Sequence, residues 1–407
     1  MSKLTTIDLK YPKMSNRSFL FSLLALLIGA CSGNKVSTQA DQVEGLLWAS
    51  DKLTIPVNSK KQIINNADQM LEDGPYSVIE KSFTPPSGDK HDYMSIGIYW
   101  WPNPNTEDGL PYVRRDGFVN PEVNDITDKH YFDLTREIAF TCGLAYHFTR
   151  NEKYAAKAAE VLRAWFINDM TRMNPNLNYG QGVPGITEGR CYGIIETRDI
   201  SDALDAERLI SNSKSWNSTD RSAIKSWFND YMNWLLNSDL GKEEFTRLNN
   251  HGTWYDVQVA SIALGIDDLE TAKRILSGSG DRILNHVDSL GRQLQELART
   301  RTWDYSTMNL KSMIILAILG EKVGIDLWKI PNKEDPALRR AIDFLLPYAI
   351  SPDDWEYEQV LEFNAKRIIP ILREALNHYP ERKKVYEEAL VKLELNAQDP
   401  LGMYNLP

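Results

Sequence analysis

The feature that most limits the fold of this chain is a helical spacing of apolar residues that begins near residue 131 and recurs almost to the end. Tyr131, Leu134, Ile138, Cys142, Ala145 and Phe148 follow one another at three- and four-residue steps, which gathers them on one face of a helix. Tyr154, Ala158, Val161, Leu162 and Trp165 repeat the pattern. Further helices are predicted around 199–211, 219–238, 254–265, 268–285, 287–298, 305–323, 336–350, 363–378 and 381–394. No strand alternation stands out in the body of the chain. Helices joined by short loops form antiparallel hairpins, and about a dozen of them in one chain point to an α/α toroid or an α-solenoid. No fixed sequence period supports a repeat array. The expected fold is therefore all-α: a toroid or incomplete barrel of helix hairpins in one large domain.

The first thirty residues stand apart. Lys10, Lys13 and Arg17 precede the apolar run FLFSLLALLIGA at 19–30, which is too short to span a bilayer as a helix. Small residues then lead directly to Cys31. The run LIGAC resembles the lipobox of bacterial lipoproteins, which implies a lipidated Cys31 as the new N-terminus. The expected division is a signal at 1–30, an anchored tether and first helix at 31–60, and the toroid at 61–407. On this reading the protein sits in the periplasm or at the outer membrane and meets the membrane only through its lipid.

Residues 74–129 are rich in Pro, Gly, Asp and aromatic residues, as in YWWPNPNTEDGLPYVRRDGFVNPE at 99–122. Long ordered loops of this kind are more often functional than not. The chain holds eleven Trp and eighteen Tyr, residues that line sugar clefts as well as cores. Trp100 and Trp101 are candidates to stack on sugar rings, with Arg114 or Arg115 pairing a carboxylate; packing of the loop is the alternative. Asn176, Tyr179, Gln181 and Arg190 lie on a Gly-rich connection and could bond hydroxyls or carboxylates.

Formal charge is −10, and removal of residues 1–30, with four Lys/Arg and one Asp, leaves −13. An acidic body argues against nucleic acid as a partner. An acidic polymer remains possible if basic groups gather in one cleft. Besides Cys31 the chain has Cys142 and Cys191, which could pair or stay as buried thiols. There is no HExxH and no clustered Cys/His spacing, so neither metal nor cofactor is expected.

Two short runs carry the chemistry. In RLNNHGTWYD (247–256), Asn249, Asn250 and His251 stand at a helix start, with Trp254 close behind. Asparagine is a good N-cap, so capping alone would explain them. A helix N-terminus also disfavours an imidazolium, and the asparagines add uncharged donors. In ELARTRTWDYSTMNL (296–310), Asp304 reads as an N-cap with Tyr305 in the first turn and Arg299 and Arg301 nearby. Those positive groups should ease ionisation of the phenol and fit it for proton transfer; a structural tyrosine beside surface arginines is the alternative. The EEFTRL charges at 243–248 read as a solvated loop, and His130 and His147 as structural.

Neutral donors and a proton-transferring phenol suit β-elimination in a polyuronate. Loss of the C5 proton beside a carboxylate builds a dianionic, enolate-like intermediate, which hydrogen bonds to that carboxylate stabilise.

Here the chain resembles a known family. NNHGTWYDVQVASIALGI, ELARTRTWDYSTMNL, YWWPNPNTEDGLPYVRRDG and AWFINDMTRMNPNLNYGQGVPG are similar, in order, to motifs of the alginate lyase superfamily of α/α-toroid polysaccharide lyases. The resemblance implies Asn250, His251, Arg299 and Tyr305 as the catalytic group. It implies cleavage of alginate or glucuronan. The candidates to contact the polymer, read from residue type and position, are Trp100, Trp101, Arg114, Arg115, Tyr179, Gln181, Asn249, Trp254 and Arg301. Arg299 and Tyr305 are six apart, against seven in the best-known branch, which implies a related one.

Two rival readings remain. A glycoside hydrolase needs a pair of carboxylic acids flanking the bond, for which Glu188, Glu196, Asp256 and Asp304 are available. A glycan-binding lipoprotein would keep the tryptophans and have no use for the Asn-His and Arg-Tyr pairs.

Overall fold

The computed structural model describes residues 41–49, 53–55 and 57–395. Cys31 and the signal ahead of it lie outside the described residues. A two-stranded antiparallel ribbon, β1 (Asp41–Val43) with β2 (Leu53–Ile55), leads into α1 (Val57–Met70). The aromatic loop segment follows and carries three very short strands, β3 (Met94–Ile96), β4 (Trp100–Trp101) and β5 (Val113–Arg114).

Helices then dominate: α2 (Asp128–Thr149) and α3 (Glu152–Leu162), a break containing β6 (Tyr179–Gly182), α4 (Ser201–Ile210), α5 (Ser218–Asn237) and α6 (Asp239–Phe245). After these come α7 (Asn250–Gly265), α8 (Leu269–His286), the single turn α9 (Leu294–Leu297) and α10 (Thr302–Glu321). The described residues end with α11 (Ala337–Ile350), α12 (Ile369–His378) and α13 (Lys383–Leu395). The fold is the all-α toroid expected from the spacing.

Burial tells which helices form the inner wall. α7 and α10 bury nearly every residue, the mark of a helix covered on all sides. α4 is almost as enclosed. With α2 these three touch in sequence, α2 against α4, α4 against α7 and α7 against α10. The amphipathic α3 and α8 pack outside their inner partners. The loops α2–α3 and α7–α8 are so short that each pair must run antiparallel.

A single large core cluster runs through this wall and includes Trp165, Trp254, Trp303 and Trp328. Cys142 and Cys191 are buried free thiols, so no disulfide joins them.

Three predicted helix starts move, and each shift matters. The helix expected from 254 begins at Asn250, and the one expected from 305 begins at Thr302. The segment 287–298 holds only the turn α9 rather than a full helix. The last of the three, expected from 363, starts at Ile369 after a 3-10 turn at Ala365–Ile368.

The small strands tie the aromatic segment to the wall. β3 pairs in parallel with β6, and β4 pairs antiparallel with β5, placing Trp100 opposite Arg114 and Trp101 opposite Val113.

Candidate active site

Asn249 is the N-cap of α7: its side chain accepts the His251 backbone N–H at 3.2 Å. Its oxygen is thus spent on the helix rather than on a ligand. Asn250, the first helical residue, is 1% exposed. Its backbone N–H donates to Glu296 Oε1 at 2.6 Å and its Nδ2 donates to Glu296 Oε2 at 2.7 Å.

His251 is half-buried, with Nδ1 2.6 Å from Glu244 Oε1. Glu244 is fully buried on α6, not part of a solvated loop as the charges at 243–248 suggest. A carboxylate at Nδ1 keeps the proton there and leaves Nε2 as the ring's lone-pair nitrogen. The Tyr192 ring meets the imidazole edge-on at 4.8 Å.

Gly252 is required beside them. A Cβ at this position would stand 2.2 Å from the Arg247 carbonyl oxygen and 2.3 Å from Arg282 Nη1. Arg282 bonds Asp256 and the carbonyls of Phe245 and Arg247, so it cannot easily withdraw.

The second half of the site lies on the connection from α9 into α10. That connection is braced by the chain near 359: Thr302 N–H donates to the Glu358 carbonyl at 3.1 Å, and Val360 N–H to the Thr300 carbonyl at 2.9 Å. Trp303 is buried below, stacked on Phe363, with its indole N–H on the Asn364 carbonyl. Asp304 is not the cap. Arg301 holds that position, and Asp304, one turn in, pairs with Arg301 at 2.7 Å and Arg367 at 2.9 Å.

Tyr305 is 9% exposed. Its hydroxyl lies 2.5 Å from Tyr99 OH and accepts from Arg299 Nη2 at 3.2 Å. The Arg299 guanidinium also lies over the Tyr305 ring, 4.3 Å from its centre. Burial pushes the phenol well above its ordinary value and Tyr99 adds to this, against the opposing charges of Arg299 and Arg301. The phenol is therefore harder to ionise than a free one, the reverse of the expectation from sequence. Desolvation outweighs two guanidiniums here.

Arg299 is clamped by Asp116, at 2.8 and 3.1 Å. Burial alone would raise the Asp116 carboxyl, yet Arg299 and Arg114 hold it down at about 2. Arg301 reaches Tyr99 OH at 3.4 Å.

The two halves meet at Glu296. Burial lifts this carboxyl to about 7, while the Asn250 bonds and the charges of Arg299 and His251 pull it back.

A second chain of contacts leads outward from His251. Arg190 lies over both Tyr192 and Trp100, and its guanidinium bonds the Gln181 carbonyl at 2.8 Å and Gln181 Oε1 at 2.9 Å. Gln181 has a left-handed backbone, φ 48°, a conformation costly for a side-chain-bearing residue and common near functional sites. Tyr179, half-buried, begins the same strand. Arg115 lies 5.0 Å over the Trp101 ring, and Arg114, exposed, joins Arg299 through Asp116.

One expected contact fails. Trp254 is 1% exposed, packed against Trp48 in the core. Because α7 starts at Asn250, position 254 falls one turn inside it and faces away from any ligand.

The carboxylates that a hydrolase would need are otherwise engaged. Glu196 accepts from Tyr93 and Ser95, Asp256 pairs with Arg282, and Asp304 is held by two arginines. Glu188 is exposed. Among the described residues, no group of three or more His, Cys, Asp or Glu could hold a metal ion.

Tyr99, Asp116, Glu244 and Glu296 were not singled out from the sequence. Tyr99 and Asp116 reach the site across a long stretch of chain, so no local spacing announces them. Glu244 is only seven positions from His251 and Glu296 lies just ahead of Arg299, but their burial against the site has no local signature.

The alginate lyase family model matches residues 77–355. The crystal structure of an alginate lyase from Bacteroides ovatus is 34% identical with a TM-score of 0.80, covering 85% of this chain and 91% of that one. Alginate lyase A1-III from Sphingomonas species A1 is 16% identical with a TM-score of 0.49, covering 84% of this chain and 90% of that one. No curated protein matches the chain. With a family match across most of its length and a solved relative superposing over nearly the whole fold, this chain belongs to the alginate lyase family and is a polysaccharide lyase.

Proposed function

We propose that the protein cleaves a polyuronate by β-elimination, leaving a 4,5-unsaturated uronate at the new end. The relatives are named as alginate lyases, and alginate is the proposed substrate, with glucuronan the nearest alternative in chemistry. The observation that supports this most is that the two motifs share one neighbourhood: buried Glu296 holds Asn250 by two hydrogen bonds and feels the charges of Arg299 and His251, while Arg299 donates to the Tyr305 hydroxyl.

Asn250 and Arg299 bind the carboxylate at the reacting sugar and take up the charge that grows as H5 leaves. Tyr305, protonated at rest, delivers its proton to the departing O4 while the C4–O4 bond breaks. His251 Nε2 is the group the geometry leaves free to accept H5, its ring fixed from behind by Glu244. Where H5 and O4 lie on one face of the sugar, Tyr305 itself must first lose a proton and then serve both steps. Arg299 over its ring favours that second route.

Purified protein screened on polymannuronate, polyguluronate and glucuronan tests this reading, with absorbance near 235 nm as the signal. Conjugated product on any of the three supports it. Reducing ends without that absorbance would replace elimination with hydrolysis. We also propose that the enzyme works from a membrane, anchored through Cys31, because the LIGAC run directly precedes the polar tether.

A further inference from the structure

Asn250 has an unusual hydrogen-bond balance for a group that must receive an anion. Its Nδ2 donates to Glu296, while its Oδ1, fully buried, has no partner among the described residues. In this orientation the amide turns an oxygen, rather than its full complement of N–H groups, away from Glu296. A carboxylate brought to that oxygen would be repelled, and a buried acceptor without a donor is costly. Rotation of the amide by half a turn exchanges the two atoms. The rotated form is stable only if Glu296 can donate, which requires its neutral acid.

We propose that Glu296 is a positioning residue: as the neutral acid it donates from Oε2 to Asn250 Oδ1 and turns the Asn250 amide N–H groups toward the substrate carboxylate. Glu296 Oε1 keeps the Asn250 backbone N–H in both forms, so the helix start does not move. As the carboxylate, Glu296 accepts from Nδ2 and holds the amide in the unproductive sense.

This inference rests on the polyuronate reading above. The site is well placed for such a switch. Glu296 is 1% exposed, and burial lifts its carboxyl to about 7. The charged and titratable groups acting on it are Arg299, from its own connection, and His251, from α7, and both favour the ionised form. A bound uronate brings a negative charge to the same place and shifts the balance back toward the acid. Substrate binding and protonation of Glu296 then reinforce each other.

Glutamine is the permanent mimic of the acid: its Nε2 can donate to Asn250 Oδ1 and its Oε1 can accept the backbone N–H. Glu296→Gln is expected to keep kcat/KM within about tenfold of wild type near pH 6, while Glu296→Ala loses on the order of 10² or more. The ratio of Gln variant to wild type should rise as pH increases through about 7, because only the wild type loses its donor. A second measurement needs no change at this position. Calorimetric binding of the wild-type digest products to Tyr305→Phe, repeated in buffers of different ionisation enthalpy, should show net proton uptake above about pH 7. A Gln variant that folds normally yet falls as far as the Ala variant overturns the proposal, as does a pH-independent ratio or binding without proton uptake. If wild type gives no unsaturated product on any polyuronate, it is the functional reading that fails, and the variants are not needed to learn it.

Discussion

The hydroxyls of Tyr99 and Tyr305 lie 2.5 Å apart, although the two residues are 206 positions apart in sequence. One belongs to the aromatic loop segment and the other to the first turn of α10. Their contact puts a second phenol on the group proposed to transfer the proton, with Arg299 and Arg301 as the flanking charges.

Removing the Tyr305 hydroxyl should remove the chemistry and little else. Tyr305→Phe is expected to lower turnover by roughly 10²–10⁴-fold, the usual loss for a general acid or base, with a thermal transition close to wild type. Retention of more than about a tenth of the turnover would mean that another group transfers the proton.

Tyr99→Phe should act through Tyr305. Burial is the main cause of the raised Tyr305 phenol, and the adjoining Tyr99 adds to it, so loss of the Tyr99 hydroxyl should lower that value. Tyrosinate absorbance assigned to Tyr305, by difference from the matching Tyr305→Phe protein, should then appear at lower pH than in wild type. An unmoved titration, with the fold intact, would show that the contact does not tune the phenol.

Asp116 gives a stability test at acid pH. Its folded value, about 2, lies below the ordinary value of 3.8. The pairing with Arg299 therefore contributes fully above the unfolded value and is lost as pH falls toward about 2. Asp116→Asn should lower the thermal midpoint at neutral pH, and the gap from wild type should close on acidification. A gap independent of pH would locate the effect in packing instead of charge. The same variant should raise KM, since Arg299 is left without its clamp.

Cys31→Ser should release the protein from the membrane fraction and abolish incorporation of labelled lipid. Continued fractionation with membranes, lipid still attached, would rule out anchoring at this residue.

The parts of this molecule legible from sequence are those set by near neighbours. The helix stripe from Tyr131 to Phe148 is visible because its period is local, and the pairs Asn250-His251 and Arg299-Tyr305 are visible because each lies within one or two turns. Glu296 is 46 positions from Asn250, and Asp116 is 183 from Arg299. Only the folded packing of α7, the α9–α10 connection and the aromatic loop brings them together. Trp254 and Asp304 differ from their expected roles for one shared reason: their helices begin three or four residues earlier than the apolar stripe suggests, as capping residues have no apolar signature. The Tyr305 phenol differs because charges can be read from a sequence and burial cannot.

The brace around residue 359 sets the length of the smallest working enzyme. The family match ends at 355, and a chain shortened to that boundary would retain every residue assigned to catalysis. It would lose Glu358, Val360 and Asn364, the partners of Thr302, Thr300 and Trp303, together with Arg367, which pairs with Asp304. Arg299 and Tyr305 would keep Asp116 and Tyr99, but the connection that carries them into α10 would lose its support on the opposite side. Boundaries for truncation, domain fusion or grafting onto another toroid should therefore be drawn beyond Arg367, because the homology boundary and the mechanical boundary do not coincide.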